Sequence, residues 1–173
     1  MRAAILTIST SVAAGRSEDR SGLALAKLVR AAGAEVAHIE VVTDDRHAIE
    51  QALRRYCAPD AEISLVFTTG GTGLTPDDVT PEATKAVIDR DAPGFAETMR
   101  AESLRHTPLG ILTRGASGIA GRTLIVNFPG NPKAIEQLWP VIAPTLGHAV
   151  ATLQREGGRD SEARGSRDLH GGH

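Results

Sequence analysis

Short apolar runs alternate with stretches in which apolar residues recur every three or four positions, almost from end to end of the chain. Positions 3–8 predict a first buried strand, and 36–42 a second, where β-branched and apolar residues outnumber polar ones. Between them, 19–32 predicts a helix, with Leu25, Val29 and Ala32 near 3.6 spacing and Gly33 as its stop. Asp44 stands where it can cap the next helix, whose Ile49, Ala52, Leu53 and Tyr56 fall at i, i+3, i+4 and i+7. Positions 63–67 form a third, almost wholly apolar strand. Thr80-Pro81 reads as a cap and first helical residue, because proline lacks the N–H that a first turn leaves unpaired. Pro93 opens another helix with Phe95 and Met99; Ile111-Leu112 and 123–128 are later strands. Asn131-Pro132 repeats the cap-plus-proline signature before a final helical region carrying Ile135, Leu138, Trp139, Ile142, Leu146 and Val150. Pro140 and Pro144 are expected to break or kink it.

Strands alternating with helices predict an α/β fold whose parallel sheet is covered on both faces. No internal repeat or linker divides the pattern, so residues 1–154 read as one domain. From Arg155 onward Gly, Arg, Asp, Glu and Ser dominate, and 155–173 is expected to be a disordered polar tail. The apolar start is shorter than a secretory core and runs into Ser9-Thr10-Ser11, so it is read as a strand. No segment reaches the ~18–20 apolar residues of a membrane span.

Composition narrows the function. With 173 residues and 41% of them apolar, one packed core fits. Lys plus Arg number 19 against 21 Asp plus Glu, a net −2, which argues against a dedicated nucleic-acid binder. Aromatic residues at 3% are too few for base-stacking platforms. Cys57 has no internal partner, which suits a reducing compartment, and the cytoplasm is the expected location. Beside Tyr56 it reads as a small buried hydrophobe. His38, His47, His106 and His148 show no ligand spacing, and His170 and His173 fall in the tail.

In open α/β sheets ligands gather beyond the carboxyl ends of parallel strands. Here those positions hold Ser9-Thr10-Ser11, Asp44-Asp45, Thr68-Thr69-Gly70-Gly71-Thr72-Gly73 and Pro129-Gly130-Asn131-Pro132-Lys133. Three glycines in four positions can turn backbone N–H groups towards an anion, and threonine hydroxyls add uncharged donors. The loop is neither a Walker A sequence nor a dinucleotide fingerprint; a plain βα turn is the bland reading. Asp77 and Asp78 follow it. Two carboxylates beside a phosphate repel it unless Mg²⁺ joins them, or one of them merely caps the helix near Thr80; both readings stand at this level. Pro129 to Lys133 combines a turn, a helix N-terminus and a cation, suited to a phosphate or to solvent alike.

Thr68-Thr69-Gly70-Gly71-Thr72-Gly73-Leu74 with Asp78-Val79-Thr80-Pro81-Glu82-Ala83-Thr84 closely resembles the signature of the MogA/MoaB family of molybdopterin-binding proteins. Pro93-Gly94-Phe95, Leu112-Thr113-Arg114, 124–132 and Glu18-Asp19-Arg20-Ser21-Gly22 extend the likeness over about 3–153. The resemblance implies a three-layer, doubly wound, mostly parallel sheet with helices on both faces, assembled as a homotrimer or homohexamer. It implies adenylyl transfer: the terminal phosphate of molybdopterin attacks the α-phosphorus of MgATP and pyrophosphate leaves. On the matching positions it implies Asp44 and Asp78 as catalytic and Mg²⁺-holding residues. It assigns cofactor binding to Ser9, Thr10, Thr69, Gly70, Gly71, Thr72, Gly73, Pro129, Gly130, Asn131, Pro132 and Lys133. A downstream molybdenum-insertion protein is an implied partner. Two departures stand out: Ser9-Thr10-Ser11 replaces the Ser-Asp-Arg of many relatives, and Asp77 replaces an Arg or Lys. The alternatives are a catalytically silent, MoaB-like binder of molybdopterin or nucleotide, and a nucleotide pyrophosphatase like the CinA proteins.

Overall fold

A computed structural model describes residues 1–155. The chain runs β1 (Arg2–Ile8), α1 (Thr10–Ala13), α2 (Arg20–Ala31), β2 (Glu35–Val42), α3 (Arg46–Cys57), β3 (Leu65–Thr69) and α4 (Thr80–Val87). It continues through β4 (Arg90–Asp91), α5 (Pro93–His106), β5 (Ser117–Ala120), β6 (Thr123–Phe128) and α6 (Pro132–Leu153). The strands form one sheet in the order β2-β1-β3-β6-β5-β4. The first four in that order are mutually parallel; β5 and β4 add an antiparallel edge.

Strand alternation decides the layers, because successive side chains leave a strand on opposite faces. Ala3, Ile5, Leu65, Phe67, Leu124, Val126 and Phe128 face α2, α5 and α6, where Leu25, Val29, Met99, Ile135 and Leu138 meet them. Ala4, Leu6, Ile8, Val66 and Ile125 face α3 and α4, against Ile49, Leu53, Tyr56 and Ala83. The result is the three-layer, mostly parallel α/β architecture that the family resemblance implies; the pattern predicts its covered parallel part but not the antiparallel edge.

Several local readings need correction. Asp45, not Asp44, caps α3, its side chain accepting the Ala48 N–H at 2.8 Å. Thr80 is already helical; the cap is Val79, which offers no side-chain acceptor. Ile111 and Leu112 lie in a 3-10 turn, Pro108–Leu112, not in a strand. Pro140 and Pro144 do not break α6, which runs unbroken over 22 residues. Both prolines are exposed while Ile135, Leu138, Trp139, Ile142 and Leu146 are buried, so the backbone carbonyls they deprive lie on the solvent side and can bond water. The readings for the tail, with His170 and His173, lie outside the described residues.

On the outer edge, Arg55 and Tyr56 of α3 both donate to the Glu40 carboxylate of β2. Partial burial pulls Glu40 upward, but the Tyr56 hydroxyl and the Arg55 guanidinium outweigh it and hold the carboxyl below its ordinary value of 4.5. Burial, then the neighbouring Glu40, pushes Tyr56 up to about 12. A lowered carboxyl stabilises the fold above its unfolded value, and that stability disappears as pH falls through the folded one. Glu40→Gln should therefore flatten the acid limb of a melting-temperature profile below pH 4.5. An unchanged profile would show the cluster to be inert.

Under the carboxyl ends of β3 and β6, Phe67 meets Phe128 and Trp139 edge to face, with centroids 5.9 and 5.5 Å apart. Trp139→Ala should cost about 3–5 kcal/mol in a denaturant titration, as large buried aromatic deletions do.

Candidate active site

The sheet leaves β1 towards β2 on one side and places β3 on the other, so its crevice opens at the carboxyl ends of β1 and β3. The Ser9 N–H donates to the Val42 carbonyl at 2.9 Å, extending the pairing of β1 and β2 past the end of the strand. Ser9 then caps α1 by accepting the Val12 N–H. Thr10 meets Asp44 across the strand ends. Its N–H and hydroxyl both donate to Asp44 Oδ2, at 2.8 and 2.9 Å, and the Asp44 N–H returns a bond to the Thr10 hydroxyl at 3.0 Å.

The glycine loop closes onto the same edge. Gly70 and Gly71 are consecutive residues with φ of +98° and +67°. A Cβ at Gly70 would lie 2.3 Å from the Ile8 carbonyl oxygen, and one at Gly71 2.3 Å from the Thr80 hydroxyl. Only glycine meets both demands. A Cβ at Gly130 would sit 3.3 Å from Gly70 Cα, so the β6 loop packs directly against the β3 loop. The Thr69 hydroxyl donates to the Pro129 carbonyl at 2.8 Å. That bond joins the end of β3 to the β6 loop, so the Thr69 hydroxyl is not a free phosphate donor as the sequence suggested. Among the described residues the N–H groups of Gly71 and Thr72 donate no hydrogen bond, and these are the donors left for an anion.

Asp78 turns back onto this loop. Its Oδ2 accepts the Thr75 N–H and hydroxyl, each at 2.9 Å, and lies 2.8 Å from where a Gly73 Cβ would be. Partial burial raises the carboxyl, yet the Thr75 donors, the Gly73 backbone and the Arg114 charge bring it below its usual value. Asn131 caps α6 by accepting the Lys133 N–H at 2.9 Å, as its position implied. Asp44 is thus bonded to Thr10, and the Ile8 carbonyl and Gly130 both close on Gly70, while Asp78 is held farther along the glycine loop at Gly73 and Thr75. Among the described residues no cluster of three or more His, Cys, Asp or Glu forms a metal cage.

Residues 4–148 match the family described as "Probable molybdopterin binding domain". The chain belongs to the MogA/MoaB family of molybdopterin-binding proteins. The molybdopterin adenylyltransferase of Helicobacter pylori strain J99 is 38% identical over 148 residues, 84% of each chain. The crystal structure of the molybdopterin biosynthesis enzyme MoaB from Thermus thermophilus is 41% identical. It covers 88% of this chain and 95% of its own, with a TM-score of 0.82. A CinA protein from Thermoplasma acidophilum, 22% identical with a TM-score of 0.64 over 84% of this chain and 97% of its own, shares the fold.

This MogA/MoaB chain also uses residues to which the sequence reading gave no role. Arg114 braces the far half of the glycine loop. Its N–H donates to the Thr72 carbonyl at 2.8 Å, and its guanidinium donates to the Gly73 carbonyl at 2.8 Å and the Asp78 carbonyl at 2.7 Å, and to the Glu82 carboxylate. The Arg114 bond, the largest influence, holds Glu82 below its usual value, and the charge of Arg46 at the start of α3 adds to it. Asn127, fully buried, donates to Thr68 and Thr84 and accepts from Ala116, tying β6 to β3 and α4. Behind the rim a cavity of about 270 Å³ opens between α5 and α6, bordered by Met99, Arg100, Thr113, Pro129, Asn131 and Leu138. Cys57 lies apart; burial pushes its thiol up to about 11, so it stays protonated and unreactive.

Arg114→Ala should release the loop. Amide exchange between Gly73 and Asp78 is expected to accelerate, with Arg114→Lys restoring only part of the protection because a point charge cannot replace a fork of donors. Unchanged exchange would remove the bracing role.

Proposed function

We propose that this protein takes part in molybdenum cofactor biosynthesis by transferring AMP from ATP to molybdopterin, releasing pyrophosphate. The observation carrying the reading is the rim itself: a glycine loop with free N–H donors, a second loop ending in Lys133, and two aspartates on loops linked by direct contacts. The adenylyltransferase name of the Helicobacter pylori relative supports it.

In the reaction an oxygen of the molybdopterin phosphate forms a bond to the α-phosphorus of ATP. The bond from that phosphorus to its bridging oxygen breaks, and pyrophosphate leaves with the electron pair. Such transfers need alignment and charge neutralisation more than covalent assistance. The Gly71 and Thr72 N–H groups donate to phosphate oxygens, and Lys133 at the start of α6 adds positive charge. Ser9, Thr10, Gly70, Gly73, Pro129, Gly130, Asn131 and Pro132 shape the walls. Thr69 acts by holding the two loops together.

Mg²⁺ fits this donor set. Asp44 and Asp78 are hard oxygen ligands, and the Thr10 and Thr75 donors all fall on Oδ2 rather than Oδ1. Among the described residues no group of three such ligands forms, so the remaining ligands would come from phosphate and water, the usual pattern for this ion. Bound there, Mg²⁺ supplies positive charge against the triphosphate. The cavity between α5 and α6 adjoins the second loop and is where a flat heterocycle is held while its phosphate reaches the rim. The same reading carries a cytoplasmic homo-oligomer, a trimer or hexamer, whose product passes to a metal-insertion protein.

Pyrophosphate release with MgATP should depend on added molybdopterin. Asp44→Asn and Asp78→Asn should each lower it by about 100-fold or more while leaving pterin binding intact, since each removes one anionic ligand of the cation. Pterin binding without any release identifies a binding protein, and full activity in Asp78→Asn rejects its role. Phosphate products from ADP-ribose without pterin identify a pyrophosphatase.

A further inference from the structure

Asp44 and Asp78 lie on different loops, and each takes a pair of donors from one threonine, Asp78 having the Gly73 backbone beside it as well. Thr10 gives Asp44 Oδ2 two donors, its N–H at 2.8 Å and its hydroxyl at 2.9 Å. Thr75 gives Asp78 Oδ2 two donors, both at 2.9 Å. The last side-chain torsion of an aspartate is soft and roughly two-fold, so one donor leaves the carboxylate free to swivel. Two donors from one residue, converging on one oxygen, restrict that swivel and leave the second oxygen as the open ligand atom. A hydroxyl suits the task because it donates without competing for the cation with a charge of its own. At position 10 the distinction is sharp: an aspartate there could offer Asp44 no side-chain donor and would repel it.

We propose that Thr10 and Thr75 are a matched pair of positioning residues that lock Asp44 and Asp78 so that both Oδ1 atoms are presented to a phosphate-bound divalent cation. This rests on the adenylyl-transfer reading. Outer partners of metal ligands set affinity through orientation, and losing one typically costs about tenfold or more. Both threonines are exposed, so replacing either hydroxyl by a methyl group leaves the core untouched.

The test uses the whole chain, Mn²⁺ in place of Mg²⁺, and an ATP analogue with a methylene at the α,β bridge, which cannot be cleaved there. Calorimetry gives the affinity for the analogue with Mn²⁺ and with a chelator. In the parent protein Mn²⁺ should tighten binding. In Thr10→Val and Thr75→Val the Mn²⁺-dependent gain, taken as the ratio of the affinities with and without metal, should fall by about tenfold. Thr10→Ser and Thr75→Ser should restore it. Valine variants that keep the full gain overturn the proposal, as do variants that lose affinity equally with and without metal, because that describes a general loop disturbance. Serine variants no better than valine also overturn it, since the hydroxyl is then not the agent. A parent protein with no Mn²⁺-dependent gain retires the adenylyl-transfer reading itself.

Discussion

Between the last carbonyl of β1 and the backbone at position 70 there is room for a hydrogen atom and nothing more. A side-chain carbon at Gly70 would lie 2.3 Å from the Ile8 oxygen, and the opposite side of the same residue is covered by Gly130. Three loops from distant parts of the chain can share one edge only because two of them meet through glycine backbone. Gly70, at φ +98°, also turns the chain sharply away from β3, which frees the next two amides from strand pairing. Every functional feature of the rim follows from that close approach.

Close contact alone would leave the loops loose, and polar anchors placed below and beside them supply rigidity. Asn127 has its amide oxygen and both amide hydrogens engaged within the interior, so β6 cannot slide against β3 without breaking bonds that water does not reach. Arg114 performs the corresponding service from the side, with one planar fork gripping backbone at Gly73 and Asp78 and the Glu82 carboxylate. The scaffold is thus an apolar sheet with buried amide bonds, and the loops are laced to it by a half-buried arginine. Such an arrangement preorganises donors for an anion at little cost when the ligand arrives.

The central strands, the helices between them and the loops that follow the parallel strands were legible in the sequence because binary pattern and proline-glycine punctuation agree there. Where they failed, a competing local bond is responsible. Asp44 and Asp45 are adjacent acids with equal capping capacity; tertiary contact with Thr10 takes the first and leaves the second to the helix. Ile111 and Leu112 look like a strand but are exposed and wound into a 3-10 turn behind Pro108. β4 and β5 are too short, and in β5 too rich in small residues, to give a period-two signal. Arg114 was visible only as part of a motif, since nothing in one dimension tells which carbonyls a guanidinium will find. The family was readable from two loops; the atoms that hold those loops in place were not.

Trp139 is the chain's single tryptophan, and it lies against Phe128, the residue that hands β6 over to Pro129 and Gly130. The indole therefore sits one layer beneath the rim, buried from water and packed against the ring on which the β6 loop is mounted. Its fluorescence is an optical reporter already built into the native molecule, reading the state of the rim without any added label.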